Sequence, residues 1–447
     1  MKRLSLFPDT TKIENDTLTM AGQDLDSLAK EYGTPLYLYD QVTMDNAIAT
    51  YKETLASSYP GFASATYAGK AYLSAALAQW TQFHNLWLDC TGQGEIAIAK
   101  AGGVPRENIL VHGVNKSDAD LAAAIQHAGT IVVDNRSELH KIYVILRFAQ
   151  NDSPRKAETL RSRQSLPQSD INLWLRLQPG LTVTAHAYTQ TGQHNSKFGM
   201  DREELMEAVQ FCRERGLPLN GLHFHLGSQF RDPAPLKPAI ELALDIAKQI
   251  GFSGEWHFSP GGGWGVAYHE DELPQPDVKE YVRVIAESVK ADCKKLGFDL
   301  PHLHIEPGRS IMARAGIAVY RVNTVKRQGG RTWLLVDGGM ADNPRHTLYG
   351  TRYSALTVAG VGRERSELVH IAGPFCESGD VLIENLPMPK VEEGELIVVP
   401  MSGAYQLSMS SNYNGARRPA VLWLENGKTK LIQRRETVDD LLRRDAL

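Results

Sequence analysis

A parallel (β/α)8 barrel followed by an all-β module is the architecture this sequence predicts. Apolar runs of strand length recur eight times between residues 63 and 306, with amphipathic segments of helical period between them. After residue 315 the pattern changes to short strands punctuated by Gly and Asn. Continuous apolar strands alternating with helices imply a parallel sheet covered by helices. Eight such units in about 250 residues are enough to close a barrel, although a doubly wound open sheet shares the same periodicity. At 447 residues the chain has room for both parts.

Residues 1–36, with a strand over Asp16–Met20, are expected to pack with the β module, and residues 37–312 to form the barrel. Barrel strands are predicted at 63–67, 86–90, 109–113, 130–134, 171–177, 219–226, 255–259 and 302–306. Helices are predicted over Ser74–Phe83, Glu95–Ala101, Ala119–His127, Arg202–Arg215, Pro235–Ile250 and Val278–Lys295, where apolar residues recur at helical spacing. The stretch Asn151–Asp170 is rich in Arg, Ser, Gln and Pro and reads as an exposed excursion. Residues 313–447 carry strands near 318–327, 331–339, 366–373, 395–403, 419–427 and 428–435, the pattern of a sandwich or open barrel.

Apolar content of 42% and charged content of 22% are ordinary for a globular protein. A net charge of −4 supplies no basic field, which argues against nucleic acid or anionic lipid as partner. No apolar run reaches the 18 residues a membrane span needs. Cys90, Cys212, Cys293 and Cys376 are scattered without a C-x-x-C pair, which suits a reducing compartment and gives no thiolate metal site. The N-terminus lacks the apolar core of a secretory signal, so a cytoplasmic metabolic protein is expected.

In such a barrel the working residues lie where strands end and βα loops begin. Lys70 follows the first strand, and a lysine there is either a solvated charge or the amine that holds a carbonyl cofactor as a reversible imine. Asp89 and Arg176 also fall at strand ends, either positioning a cofactor or pairing structurally. His225-Leu-Gly-Ser228 follows strand six, with His225 expected on the same barrel-facing side as His223. Gly261-Gly262-Gly263 follows strand seven, where backbone N–H groups approach an anion with no Cβ in the way. Glu306-Pro307-Gly308-Arg309 follows strand eight. A carboxylate ending an apolar strand must be paired or protonated. Glu306 could pair with Arg309, or face a pyridine nitrogen through a hydrogen bond worth about 1.5–3 kcal/mol. The repeated H-x-H pattern of His223-Phe-His225 and His302-Leu-His304 raises a metal-dependent barrel hydrolase as a rival. That rival leaves Lys70 and the triple glycine without a role, and no metal is expected in the reaction.

Taken in order, Tyr67-Ala-Gly-Lys70-Ala71, His223-Phe-His225-Leu-Gly-Ser228-Gln229, Gly261–Gly263, Glu306-Pro-Gly-Arg309, Gly373-Pro-Phe-Cys376-Glu377-Ser-Gly-Asp380 and Gly403-Ala-Tyr405 resemble the motif set of the fold-type III pyridoxal phosphate decarboxylases. Ser408 to Asn414 followed by Arg418-Pro419-Ala420 is especially similar to the branch that acts on diaminopimelate. The resemblance implies pyridoxal 5'-phosphate as cofactor and Lys70 as its covalent anchor. It implies His225 stacked on the cofactor ring, Glu306 at the pyridine nitrogen, and Ser228, Gly261–Gly263, Gly308, Arg309 and Tyr405 around the phosphate. Asp89 and Pro307 would line the same site. Arg309, Arg345 and Tyr349 would hold the substrate's distal carboxylate, with Tyr405 beside them. Glu377 would meet its distal amino group, and Cys376 would protonate the carbanion. The implied assembly is a homodimer in which the Cys376-Glu377 loop reaches the partner's site.

A thiol, ordinarily protonated near neutrality with a pKa of about 8.5, suits proton donation. Two arginines suit a substrate with a second carboxylate better than ornithine or lysine, which would leave buried cations unpaired. A decarboxylase of D-ornithine, D-lysine or carboxynorspermidine, and an amino-acid racemase, are the alternatives. The chain departs from the family pattern at Asn343-Pro344 before Arg345, at His346-Thr347 after it, and at Trp264 after the glycines.

Overall fold

The computed structural model describes residues 2–148, 171–181, 192–193, 196–252 and 254–446. The Asn151–Asp170 excursion therefore lies outside the described residues. Contacts divide the chain into two compact units: 50–265 with 277–308, and 1–49 with 266–276 and 309–447.

The first unit contains a closed barrel of eight parallel strands. In order they are Ala63–Ala68, Trp87–Thr91, Ile109–His112, Thr130–Val133, Asn172–Arg176, Leu219–His223, His257–Ser259 and His302–Ile305. Strand eight pairs with strand one to close the ring, Leu303 opposite Ala63. Six lie inside the runs read from sequence, and Ala63–Ala68 and Trp87–Thr91 each extend one residue beyond theirs. Helix boundaries follow local chemistry. Ser74 accepts a hydrogen bond from Leu77 N, Ser117 forms a capping box with Asp120, and Asp201 accepts from Glu204 N. Gly216, Gly251 and Gly297 end their helices in the left-handed conformation.

One end of the barrel interior is filled by rings rather than by branched aliphatics. Trp87, His257 and His302 each begin a strand, so they stand at the N-terminal mouth. Trp174 lies 5.3 Å from the His257 ring and 4.8 Å from the His304 ring. The indole occupies space that only a glycine leaves free: a Cβ on Gly221 would lie 2.2 Å from it.

The second unit is built on a nine-stranded sheet with two strands off its main path. Val381–Met388, Glu367–Ala372, Arg331–Val336, Gly316–Gln328, Leu36–Asp40, Ala420–Glu425 and Lys428–Gln433 run in that order. Leu396–Val399 pairs with Gly316–Gln328, and Leu356–Thr357 pairs with Leu396–Val399. The domain boundary differs from the expected 37–312. Leu36–Asp40 is a central strand of this sheet, antiparallel to Gly316–Gln328 and parallel to Ala420–Glu425. Its five residues are all buried, the same signature a barrel strand carries, so periodicity could not tell them apart. Val381–Met388 was not foreseen either. Asn385 sits at φ 53°, Pro387 removes a donor, and its register with Glu367–Ala372 shifts twice. Thr17–Met20 forms a three-stranded sheet with Lys12–Glu14 and Gln23–Asp24, and sends Leu18 and Met20 into the core of this unit.

Candidate active site

Strand-end residues lie at the C-terminal mouth of the barrel. Lys70 lies in the 3-10 turn Gly69–Ala71 directly after strand one and is exposed. The turn has no room for a larger residue before the lysine, since a Cβ on Gly69 would lie 2.6 Å from the Asp89 carbonyl oxygen. Strand one is tied to the end of strand eight, with Ala68 N donating to Pro307 O at 3.0 Å, and a Cβ on Gly308 would meet that of Ala68 at 3.0 Å.

The glycine loop is packed on both flanks. A Cβ on Gly262 would lie 1.9 Å from Glu306 O, and one on Gly263 1.9 Å from Gly227 O. Gly261 and Gly263 also need positive φ, 75° and 104°. No side chain fits at any of these positions. Gly262 N donates to His225 Nδ1 at 3.2 Å, so the imidazole proton resides on Nε2. Burial, and then the Lys70 charge, hold His225 well below the ordinary histidine pKa.

Strand six ends at His223, and Phe224 and His225 lie beyond it. His225 is within electrostatic reach of both His223 and Glu306. His223 Nε2 lies 3.3 Å from Glu306 Oε2. Ser259 Oγ donates to Glu306 Oε1 at 2.6 Å and accepts from Gly261 N at 3.1 Å, joining carboxylate and glycine loop through one hydroxyl. His112 Nε2 stands 3.6 Å from Glu306 Oε1 and 3.8 Å from Asp89 Oδ1. Burial disfavours the charge on Glu306, but His223 and His112 outweigh it and hold the carboxyl well below its usual range. Burial pushes His223 down to about 4, so the pair is a carboxylate facing a neutral imidazole. Arg176 is buried 3.6 Å from Asp134, the structural pairing considered from sequence. Trp264 stacks on Tyr281 at 4.8 Å and belongs to the core.

These shifts have a consequence for acid stability. Between pH 6.5 and about 4 the unfolded chain protonates His223 while the folded one does not, so stability falls as pH falls. Glu306 acts in the same direction: its contribution is present above the unfolded carboxyl pKa and is lost as pH drops through the depressed folded value. Thermal melts from pH 7 to 4.5 should show a continuous drop in midpoint. A flat profile would contradict the assignment.

The second unit carries a separate cluster of arginines and tyrosines. Arg309 and Arg345 are both buried. Arg309 Nη1 donates to Tyr268 OH at 2.5 Å, and its guanidinium lies 4.5 Å from the Tyr405 ring centre. The Arg345 guanidinium lies 5.1, 5.2 and 5.8 Å from the rings of Tyr268, Tyr349 and Tyr405. Its polar contacts include Thr351 Oγ1 at 3.4 Å and the Tyr353 hydroxyl, and among the described residues its buried Nε has no hydrogen-bond partner and no carboxylate pairs with it. Asn343 and Pro344 serve the local turn, with Pro344 preceding the short helix Arg345–Tyr349 and Asn343 Oδ1 accepting from Arg345 N at 3.4 Å.

Cys376 and Glu377 are not in that cluster. Both are exposed on the turn Gly373–Asp380, which Asp380 organises by accepting from Phe375 N at 2.8 Å and Met340 N at 2.7 Å. Cys376 N donates to Asn414 Oδ1 at 3.1 Å, and Thr347 Oγ1 donates to Gly379 O at 2.8 Å. Sequence reasoning missed His112, Ser259 and Tyr268. The first two end barrel strands three and seven, and that position was the available signal.

A strand-end amine, a glycine cradle a Cβ would fill, and an ionised carboxylate fixed by two histidines and a serine define a barrel enzyme of the pyridoxal phosphate class. Among the described residues, buried Asp89 Oδ1 and His112 Nε2 have no hydrogen-bond partner, as suits groups that face a polar ligand. The residues fit that cofactor. Comparison with known proteins agrees. Residues 45–313 match the pyridoxal-dependent decarboxylase family, pyridoxal binding domain. The diaminopimelate decarboxylase of Bacillus subtilis (strain 168) is 38% identical, covering 96% of this chain and 95% of its own. That of Synechocystis sp. is 35% identical over 99% and 93%. The solved diaminopimelate decarboxylase of M. jannaschii in complex with L-lysine superposes with a TM-score of 0.87 at 27% identity, covering 98% of both chains. The chain belongs to the pyridoxal-dependent decarboxylases, in the family of the diaminopimelate decarboxylases.

Proposed function

We propose that this enzyme decarboxylates meso-2,6-diaminopimelate to L-lysine with pyridoxal 5'-phosphate, as a cytoplasmic homodimer. The observation that carries the substrate assignment is Arg345, a buried cation surrounded by tyrosine rings and lacking a carboxylate partner among the described residues. A distal carboxylate supplies that partner, whereas ornithine and lysine have none to offer.

Bound pyridoxal phosphate supplies the electron sink that accepts the pair left on the α-carbon when carbon dioxide departs. Lys70 provides the amine that anchors it. Glu306, ionised, holds a proton on the ring nitrogen, and Ser259, His112 and His223 keep the carboxylate in place. His225, neutral and fixed by Gly262, offers a flat face to the ring. Ser228, Gly261 to Gly263, Gly308, Arg309 and Tyr405 bind the phosphate, with Asp89 and Pro307 lining the site. Arg309, Arg345 and Tyr349 grip the distal carboxylate, with Tyr405 beside them, and Glu377 meets the distal ammonium. Cys376 delivers from Sγ the proton that replaces the lost carboxylate. The exposure of Cys376 and Glu377 supports their service to the partner subunit's site.

Carbon dioxide release from meso-diaminopimelate, lysine, ornithine and carboxynorspermidine tests the assignment. The first should be preferred, and equal or greater turnover of any other would replace it. Cys376→Ala should lower kcat by about 10²–10⁴, the range for loss of one general acid, with cofactor loading unchanged. An unaltered rate would remove Cys376 as donor.

A further inference from the structure

The motif His302-Leu-His304 has no part in the reaction proposed above. The two side chains lie on one face of strand eight by alternation, and His257 on strand seven pairs in register with His302. One ring nitrogen from each of the three histidines lies within 4.8 Å of those of the other two. All three stand toward the N-terminal mouth of the barrel, at the opposite ends of the strands from Lys70 and the glycine loop.

We propose that His257, His302 and His304 form a structural site for one divalent transition metal of the imidazole-preferring class, zinc foremost. His257 Nδ1 and His304 Nε2 face each other at 3.0 Å. Two imidazole nitrogens that close share a single proton between two lone pairs. Tetrahedral zinc, with Zn–N of about 2.0–2.1 Å, sets its nitrogen ligands about 3.4 Å apart. Replacing the proton by the metal therefore requires a separation only a few tenths of an ångström greater.

The third ligand has an orienting partner: Ser64 Oγ lies 2.8 Å from His302 Nε2, the kind of outer hydrogen bond that fixes a ligating imidazole. His302 is half-buried, whereas His304 is fully enclosed, so His302 is the open side of the site. Its ring stacks on that of His304 at 4.4 Å and 22°. Among the described residues His304 Nδ1 is buried with no hydrogen-bond partner, so none of them competes for the tautomer the metal requires. Three imidazoles without a thiolate select zinc, nickel or copper over magnesium or calcium. The ion would clamp strands seven and eight at the end where a (β/α)8 barrel carries stability rather than catalysis. A second cluster among the described residues, His112, His223 and Glu306, belongs to the cofactor site proposed above.

The test uses pyridoxal phosphate-loaded enzyme, so that the cofactor site is engaged. Zinc titrated by calorimetry should bind once per chain with micromolar or tighter affinity and raise the melting temperature. Cobalt at the same site should give the intense visible bands of tetrahedral coordination, beyond the absorption of the cofactor. His302→Ala, with folding checked by circular dichroism, should weaken zinc binding at least about 100-fold, more than the loss of an outer-shell partner, and abolish the melting shift. Should that variant fold poorly, His302→Asn takes its place. Absence of stoichiometric zinc binding, octahedral cobalt bands, or unchanged affinity in the His302 variant would each overturn the site.

Discussion

Lys70→Ala is expected to leave a protein that binds pyridoxal phosphate reversibly but retains none of it after borohydride reduction. Its kcat should fall at least about 10³-fold, the scale on which losing the group that bonds covalently lowers turnover. The turn geometry makes the amine hard to replace. Gly69 admits no side chain and Gly308 leaves only a tight 3.0 Å to the Ala68 Cβ, so the turn is not readily rebuilt to bring another residue to the same point. The lysine charge also acts on its surroundings, helping burial to depress the His225 pKa and opposing the rise of Glu95, which burial brings to about 7. Lys70→Arg keeps that charge but cannot form the bond, and so separates the two contributions. A merely electrostatic lysine predicts near-native turnover in Lys70→Arg, whereas the anchor assignment predicts a loss as deep as that of alanine. Added methylamine should restore part of the rate in Lys70→Ala only, because the space vacated by the side chain admits a small amine. Activity of Lys70→Ala within tenfold of native would remove the anchor and the cofactor assignment with it.

Barrel strands were legible because each is an uninterrupted apolar run with a helix on either side, a signal that survives without tertiary context. Trp174 and Gly221 show what was not legible. A tryptophan mid-strand and a glycine two strand-positions from His223 read separately as core and breaker, yet they are one packing event across two strands. The site followed the same rule. Lys70, Glu306 and the glycines announce themselves by residue type at strand ends, whereas Ser259 is a small polar residue that acquires meaning only from the atoms at 2.6 and 3.1 Å on either side. Tyr268 was missed for a related reason. It falls in the segment 266–276, which groups with the second unit, and nothing local signals that it will accept from Arg309. Leu36–Asp40 shows the limit of burial as a signal, since a strand covered on both faces looks alike in either unit.

Arg345→Ala should lower kcat/KM for meso-diaminopimelate by about 10²–10³ while leaving the low activity toward lysine and ornithine within a few-fold of native. One hydrogen bond to a charged group contributes about 1.5–3 kcal/mol, and a guanidinium can present two to one carboxylate. The guanidinium also lies over three tyrosine rings, so its removal costs stability, at roughly 0.5–1 kcal/mol for an ordinary cation–π contact. That loss touches all substrates alike and cancels in the ratio of their rates. The ratio is therefore the quantity to measure. Arg345→Lys should recover little of it, because a flexible ammonium is a point charge without the planar fork that matches a carboxylate. Glu377 supplies the complementary test, since Glu377→Gln removes the charge meant for the distal ammonium and should penalise lysine and ornithine along with the dicarboxylate. A chain in which Arg345→Ala leaves the ratio unchanged uses that buried cation to hold tyrosines together, and its substrate must then be sought among amino acids without a second carboxylate.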